Sequence, residues 1–409
     1  MKFRQVCATE MLSLLSLGVA DARLPQSADA RTPQSADARL PQFTWSSDTD
    51  TVDAHTAFGT ALGARFKATI QARFADLRAH GQLGQMLQTY NTSAGSALYD
   101  GFLKTHERLA PSSIAELRGL AAGAAVPFQQ IFLQNIPLEF TDCSAASGLA
   151  PPRRPRDDHC SDFQLCDPAG ACAVGHNEDN DAVDLNRTAL VGARFGTRSW
   201  TAYTYLGELP SGAFGFNANV AFTLNWVGPT DVVCPGLGRG FVSRALLDAA
   251  DLDAAVATAT QPGQAAGHNF QLMRLGNQPS ILNVEAAPRG LYAVRPIGAD
   301  VFFHANQYQT LVVPQTYGNS SVHRLARAAE ILRDAPPTTP EAIAHALGDQ
   351  QDHSYPIFHD DVSHAAGDLS DWTIATALFD LRKATLTVFA GNPRKKDVLA
   401  TVALNGASA

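Results

Sequence analysis

Two textures of hydrophobic patterning divide the chain. Between 58 and 150 apolar residues recur at three- and four-residue spacing, most clearly over 64–77 and 112–122. Pro111 and Ser112 supply a helix start, so this stretch reads as mainly helical. Residues 148–158 break the pattern with Pro151, Pro152 and Pro155, three arginines and two aspartates, the composition of an exposed junction. From 160 onward, short segments alternate or run apolar between Gly, Pro and Asp. The segments 161–165, 171–176, 199–206, 218–226, 280–286 and 290–294 read as strands. Residues 239–259 and 322–333 read as amphipathic helices, the second with Asn319, Ser320 and Ser321 as cap candidates. Residues 372–379 and 384–389 read as a closing hairpin. Strands in groups, with helices between the groups, predict antiparallel sheets covered by helices, an α+β chain.

The N-terminus is read apart from this fold. Lys2 and Arg4 precede the apolar stretch 11–20, and Ala20-Asp21-Ala22 has the small-x-small form of a signal-peptidase site. Residues 1–22 therefore read as a secretory signal; a disordered leader is the other reading, because Glu10 sits badly in a signal. Three copies of a polar, Pro-containing octad follow at 20–27, 28–35 and 36–43, the last ending in Phe43. Such octads bury no core, so 23–57 is taken as a disordered linker, 58–159 as a helical pro-segment and 160–409 as the nucleophile-bearing part. The expected location is secreted or endomembrane if the leader is a signal, and cytoplasmic otherwise.

Composition narrows the partners. The chain has 409 residues and a formal net charge of −8, which disfavours nucleic acid because phosphate binding needs a basic face. No run approaches the roughly 20 apolar residues of a membrane span. With Cys7 in the leader, Cys143, Cys160, Cys166, Cys172 and Cys234 remain, an odd number that leaves at least one thiol unpaired. Cys166 and Cys172 flank one turn, either paired across it or present as small buried residues. The spacing of Cys160, Cys166, Cys172 and His176 fits no common zinc pattern, so neither a metal nor another cofactor is expected.

Asp158-His159-Cys160 opens a strand directly after the junction. Asp167-Pro168-Ala169-Gly170 supplies turn chemistry, and a second strand ends at Gly175-His176-Asn177-Glu178-Asp179. This hairpin would return Asn177 and Asp179 to the neighbourhood of Cys160. A cysteine is a poor nucleophile at its ordinary pKa and needs a base within reach. Were the bond before Cys160 cut, the new α-amino group, with an unperturbed pKa of about 8, would be that base.

The run from Asp158 to Asp179 resembles the maturation site of the isopenicillin N acyltransferase family, a group of autoproteolytic cysteine peptidases. The family's nucleophile and its Gly-x-Asn-x-Asp close are matched by Cys160, Gly175, Asn177 and Asp179. Gly215-Phe216-Asn217, His304-Ala305-Asn306, Ser321-x-x-Arg324-x-x-Arg327 and, upstream, 119–123 with Asn135 and Glu139 resemble its other motifs, in the same order over roughly 58–395. Within the group, Arg239-Gly-Phe-x-x-Arg244 and 303–308 look most like β-alanyl-dopamine hydrolase-like members. The resemblance implies a four-layer αββα N-terminal-nucleophile hydrolase, cut between His159 and Cys160 into an α chain and a β chain that stay together as a heterodimer. It implies Cys160 as nucleophile, Asp179 as orienting group near its amine and Asn306 as oxyanion donor, acting on a small-molecule amide. Two departures stand out. His159 occupies a position where the family usually has Gly, and Ser370 or Asp371 stands where the acyltransferase has an arginine.

Asn177, Glu285 and His304 are the tentative substrate-binding candidates. Glu285 lies on an apolar strand, either lining a cationic substrate pocket or serving as an arginine's structural partner. His304 reads as a core histidine or an acid–base. The chemistry expected is hydrolysis of an N-acyl amide through an acyl-enzyme. Transfer to an amine acceptor and an unprocessed, non-catalytic binding protein are the alternatives.

Overall fold

The computed structural model describes residues 39–151, 160–167, 171–210, 212–369 and 371–404. The leader 1–22, most of the octad repeats, the arginine-rich junction, Ser370 and His159 of the expected cleavage site lie outside the described residues. The chain opens with strand β1 (Gln42–Ser47) and seven helices: α1 (Val52–Arg65), α2 (Lys67–Ala79), α3 (Gln82–Tyr90), α4 (Ser93–Leu109), α5 (Pro111–Ala124), α6 (Phe128–Gln134) and α7 (Pro137–Ala146). Six strands follow: β2 (Ser161–Cys166), β3 (Cys172–Asn180), β4 (Thr188–Phe195), β5 (Arg198–Tyr205), β6 (Phe214–Asn217) and β7 (Val220–Val227). Helices α8 (Arg239–Leu246) and α9 (Leu252–Ala259) separate them from β8 (Gly267–Arg274), β9 (Ser280–Ala287), β10 (Leu291–Pro296) and β11 (Phe302–His304). The last part comprises α10 (Asn319–Asp334), α11 (Pro340–Leu347), α12 (Asp361–Ala366), β12 (Trp372–Asp380), β13 (Thr385–Phe389) and β14 (Val398–Ala403).

The strands form two sheets, ordered β1-β4-β5-β6-β7-β8-β9-β10 and β11-β2-β3-β12-β13-β14. All pairings are antiparallel except β1 with β4. Side-chain alternation sorts the layers. On β4, Ala189, Val191, Ala193 and Phe195 pack against Phe58, Ile70, Leu117 and Phe132 of the N-terminal helices. Leu190 points the other way, with Tyr203, Phe214 and Phe216, to meet Val174, Ala375, Ala377 and Phe379 between the sheets. The far face of the second sheet, including Phe163, Leu165 and Ala173, is covered by Ala328, Ile343 and Leu347 of α10 and α11. The order helices, sheet, sheet, helices is the αββα sandwich that the resemblance implies. No helix among the described residues is long and apolar enough to cross a membrane.

Three boundaries differ from the sequence reading. The linker does not reach 57: the last octad ends in Phe43 where the others have Ser, and Trp45 follows. These rings pack against Phe58 and Phe195 while β1 joins the larger sheet. Residues 239–259 form two helices, because Asp251 caps α9 with its side chain on the Ala254 amide at 2.8 Å. Asn319, Ser320 and Ser321 lie inside the first turn of α10 behind Gly318, and both serines bond elsewhere.

Candidate active site

Cys160 immediately precedes β2, whose register with β3 pairs Ser161 with Asn177 and Asp162 with His176. Alternation therefore turns Asp162, His176 and Glu178 into the space between the sheets, and Asn177 toward α11. Cys160 shares the inner face. Its thiol donates to Glu178 Oε2 at 3.4 Å and lies 3.9 Å from the Asp179 carbonyl oxygen. It is the free cysteine among the described residues, since Cys166 pairs with Cys172 across the hairpin turn and Cys143 pairs with Cys234.

Two further groups hold Glu178. Tyr205 donates its hydroxyl to Oε1 at 2.7 Å, and His176 Nε2 lies 3.1 Å from Oε2. His176 Nδ1 lies 3.1 Å from Asp162 Oδ1, and Asp162 in turn accepts from Thr223 Oγ1 at 2.7 Å and Gln271 Nε2 at 2.8 Å. Burial opposes charge on His176, but a carboxylate at each ring nitrogen overcomes it and raises the imidazole to about 10. At neutral pH the ring is an imidazolium donating from both nitrogens. Cys160, His176 and Glu178 lie close enough to share an ion, and His176 would have to give up a proton to ligate one. Burial, then the charges of Glu178 and Asp179, push the Cys160 thiol well above its ordinary value.

A second network fixes the backbone of Cys160. Arg324, fully buried on α10, donates from one terminal nitrogen to the Cys160 carbonyl and Ser161 Oγ, both at 2.8 Å. The other terminal nitrogen reaches Asn306 Oδ1 at 2.6 Å, and Nε reaches Ser320 Oγ at 3.0 Å. A guanidinium only donates, so Asn306 must present Oδ1 to it and turn Nδ2 away. One Nδ2 hydrogen is taken by the Trp226 carbonyl at 3.0 Å, which leaves the other available to a further acceptor. The Asn306 backbone N–H is anchored on Ser321 Oγ at 3.0 Å.

Cys160, Glu178, Asp179 and Asn306 line one cleft of about 140 Å³, walled by Leu138 of the N-terminal helices and Trp226 of β7. Two of the expected catalytic residues, Asp179 and Asn306, thus meet Cys160 there; the Asp179 carboxylate stands 4.0 Å from His359 Nε2. The three tentative substrate residues do not line it. Asn177 donates to the Leu347 and Ile357 carbonyls at 2.9 and 2.8 Å and accepts from Thr376, which pins α11 to the sheet. Gly175 serves the same approach: a Cβ there would stand 2.5 Å from Ile343 Cγ2. Glu285 accepts from the backbone N–H groups of Gln309, Thr310 and Leu311 at 2.7, 2.9 and 2.6 Å. His304 Nε2 lies 3.0 Å from the same carboxylate, so this buried pair holds the loop at 309–311, and among the described residues no arginine is paired with Glu285. Glu178, Tyr205, Asp162 and the role of Arg324 were not anticipated. The signal for Glu178 was the period of two in β3, which places it beside His176 and opposite the face of Asn177.

The sequence pattern of the acyl-coenzyme A:6-aminopenicillanic acid acyl-transferase family matches residues 167–395, more than half of the chain. The chain belongs to this acyltransferase family. Among proteins similar to this chain, the beta-alanyl-dopamine/carcinine hydrolase of Drosophila melanogaster is 24% identical over 336 residues, covering 76% of this chain and 84% of that protein. Both comparisons are with enzymes that act by acyl transfer or hydrolysis, and this chain is an enzyme of that kind. The family match begins seven residues after Cys160 and so does not itself include that residue.

Proposed function

We propose that the chain cuts itself between His159 and Cys160 and then works as an N-terminal-nucleophile cysteine hydrolase on N-acyl amides of small amines, β-alanyl amides among them. The observation that carries this reading is the convergence, through one buried guanidinium, of the unpaired Cys160 with an oriented Asn306 amide at a common cleft. In the cut enzyme the Cys160 α-amine takes the thiol proton and the thiolate attacks the amide carbonyl carbon. The oxyanion falls to the free Asn306 N–H. Collapse breaks the C–N bond, the amine leaves with the proton, and water then hydrolyses the thioester.

Cleft charge supports a cationic substrate. Among the described residues that line it, the acidic Glu178, Asp179, Asp181, Asp184 and Glu208 outnumber the basic Arg239, with Asp184 and Glu208 bound to the buried Arg73. An ammonium at the end of a β-alanyl group meets that excess of negative charge. Cys143–Cys234 joins the segments on either side of the expected cut, so the α and β chains would remain covalently tied after cleavage. The family description favours a second reading, transfer of the acyl group to an amine. Product analysis of β-alanyl-histamine turnover in the presence of a competing amine separates the two. Free β-alanine at all amine concentrations supports hydrolysis, a β-alanyl derivative of the added amine supports transfer, and no consumption of any N-acyl amide by cut enzyme overturns both.

A further inference from the structure

We propose that Glu178 is the proton acceptor for self-cleavage, a task beyond its place in the acidic lining of the cleft. The inference rests on the reading that the chain cuts itself before Cys160, and it addresses a gap in that reading. The α-amine that serves as base in the finished enzyme is still an amide nitrogen in the precursor, with no lone pair available for a proton. The first cut therefore needs another base.

Among the described residues, Glu178 is the carboxylate recorded in hydrogen-bond contact with the thiol, with Oε2 at 3.4 Å from Sγ. Its position is fixed rather than incidental. The Tyr205 hydroxyl holds Oε1, the His176 imidazolium holds Oε2, and Asp162, itself clamped by Thr223 and Gln271, holds the far side of His176. Both donors to Glu178 are buried, and all of these side chains sit between the sheets, so the carboxylate has little freedom to leave the sulfur. The thiol's raised pKa means that a thiolate does not wait in the site. The proton must depart as sulfur attacks, the circumstance in which a positioned base matters most.

The step balances as follows. The Cys160 S–H proton passes to Glu178 Oε2 while sulfur bonds to the carbonyl carbon of the preceding residue. The tetrahedral adduct collapses by breaking the C–N bond, and the departing Cys160 nitrogen takes a proton back from Glu178. A thioester and a free α-amine result. Water then attacks the thioester carbon, the C–S bond breaks, the preceding residue leaves as a carboxylic acid, and sulfur regains its proton. The net change is the addition of one water.

The test follows self-cleavage of freshly refolded precursor by reducing gel and intact mass. Glu178→Gln should slow cleavage by about a hundredfold or more, the usual contribution of a general base. Its residual rate should rise about tenfold per pH unit, as expected when hydroxide must generate the thiolate, whereas the wild-type profile should be flatter. Glu178→Ala, which leaves room beside the sulfur, should be accelerated by added formate in proportion to its concentration. As a check on folding, residues 156–159 are replaced by Ile-Glu-Gly-Arg and Cys160 is released with factor Xa in the Glu178→Gln background. Turnover by that enzyme, at a raised KM because Glu178 also lines the acidic cleft, shows that the site has formed. Wild-type rate and pH profile in both Glu178 variants would overturn the proposal while leaving self-cleavage intact. A wild-type precursor that never cuts before Cys160 would instead overturn the reading on which it rests.

Discussion

Replacing Arg324 by lysine isolates what the planar guanidinium does. Lysine retains the charge but condenses the donors into one point, so it cannot hold the Cys160 carbonyl at 2.8 Å and Asn306 Oδ1 at 2.6 Å together. A hydrogen bond to a charged group is worth about 1.5–3 kcal/mol. If that amount is lost through disorientation of the Asn306 amide, turnover falls roughly 10- to 150-fold, since about 1.4 kcal/mol corresponds to tenfold. The loss should fall on kcat with KM little changed, because the free Asn306 N–H is used only once an oxyanion has formed. Asn306→Ala should cost about 3 kcal/mol by removing the same donor. Adding Arg324→Lys to Asn306→Ala should then cost little more, as two residues acting through one contact are not additive. The assay is steady-state release of amine by fully processed enzyme. Fully additive losses, or an Arg324→Lys effect confined to KM, would refute the claim that Arg324 works through Asn306.

Cys160→Ser should self-cleave slowly and hydrolyse substrate poorly, because a hydroxyl is far less ionised than a thiol, and Cys160→Ala should do neither; cleaved chain in a Cys160→Ala preparation refutes this. Burial lowers His106 and His268 to about 4, and His106 accepts from the Gly238 N–H at 2.9 Å in its neutral form. The unfolded chain takes up protons below about 6.5 that the folded chain refuses, so stability should fall as pH drops from 6.5 toward 4. A urea midpoint insensitive to pH across that window, or one whose slope is unaltered by His106→Gln, contradicts the assignment. The two disulfides favour an oxidising compartment. A reporter fused behind residues 1–45 should be exported, and its retention inside the cell would show that the leader is no signal.

What the sequence disclosed follows the physics of each signal. Strands such as Ser280–Ala287 carry apolar residues on a buried face and read plainly, whereas β8, which buries His268, Asn269 and Gln271, is not among the strands that the pattern predicts. Its polar residues are where they are because Gln271 helps to anchor Asp162, so the pattern fails at the site that the strand serves. Cys160 was legible from the junction and hairpin, and Asn306 from its motif. Asn177 misled because its place in the motif reflects packing: its amide binds two carbonyls under α11, while its neighbours Glu178 and His176 face the sulfur. Glu285 and His304 form a pair across two strands distant in sequence, a contact that local spacing does not reveal. The same holds for Cys143–Cys234, separated by 91 positions.

The central claim is that the working enzyme carries Cys160 as its N-terminal residue. Reduced, purified active protein, analysed by N-terminal sequencing and intact mass, tests it directly; reduction is required because Cys143–Cys234 would otherwise hold both pieces together. The account predicts a C-terminal chain beginning Cys-Ser-Asp-Phe. Active enzyme that remains one uncut chain after reduction, or whose C-terminal piece begins at any other residue, contradicts it.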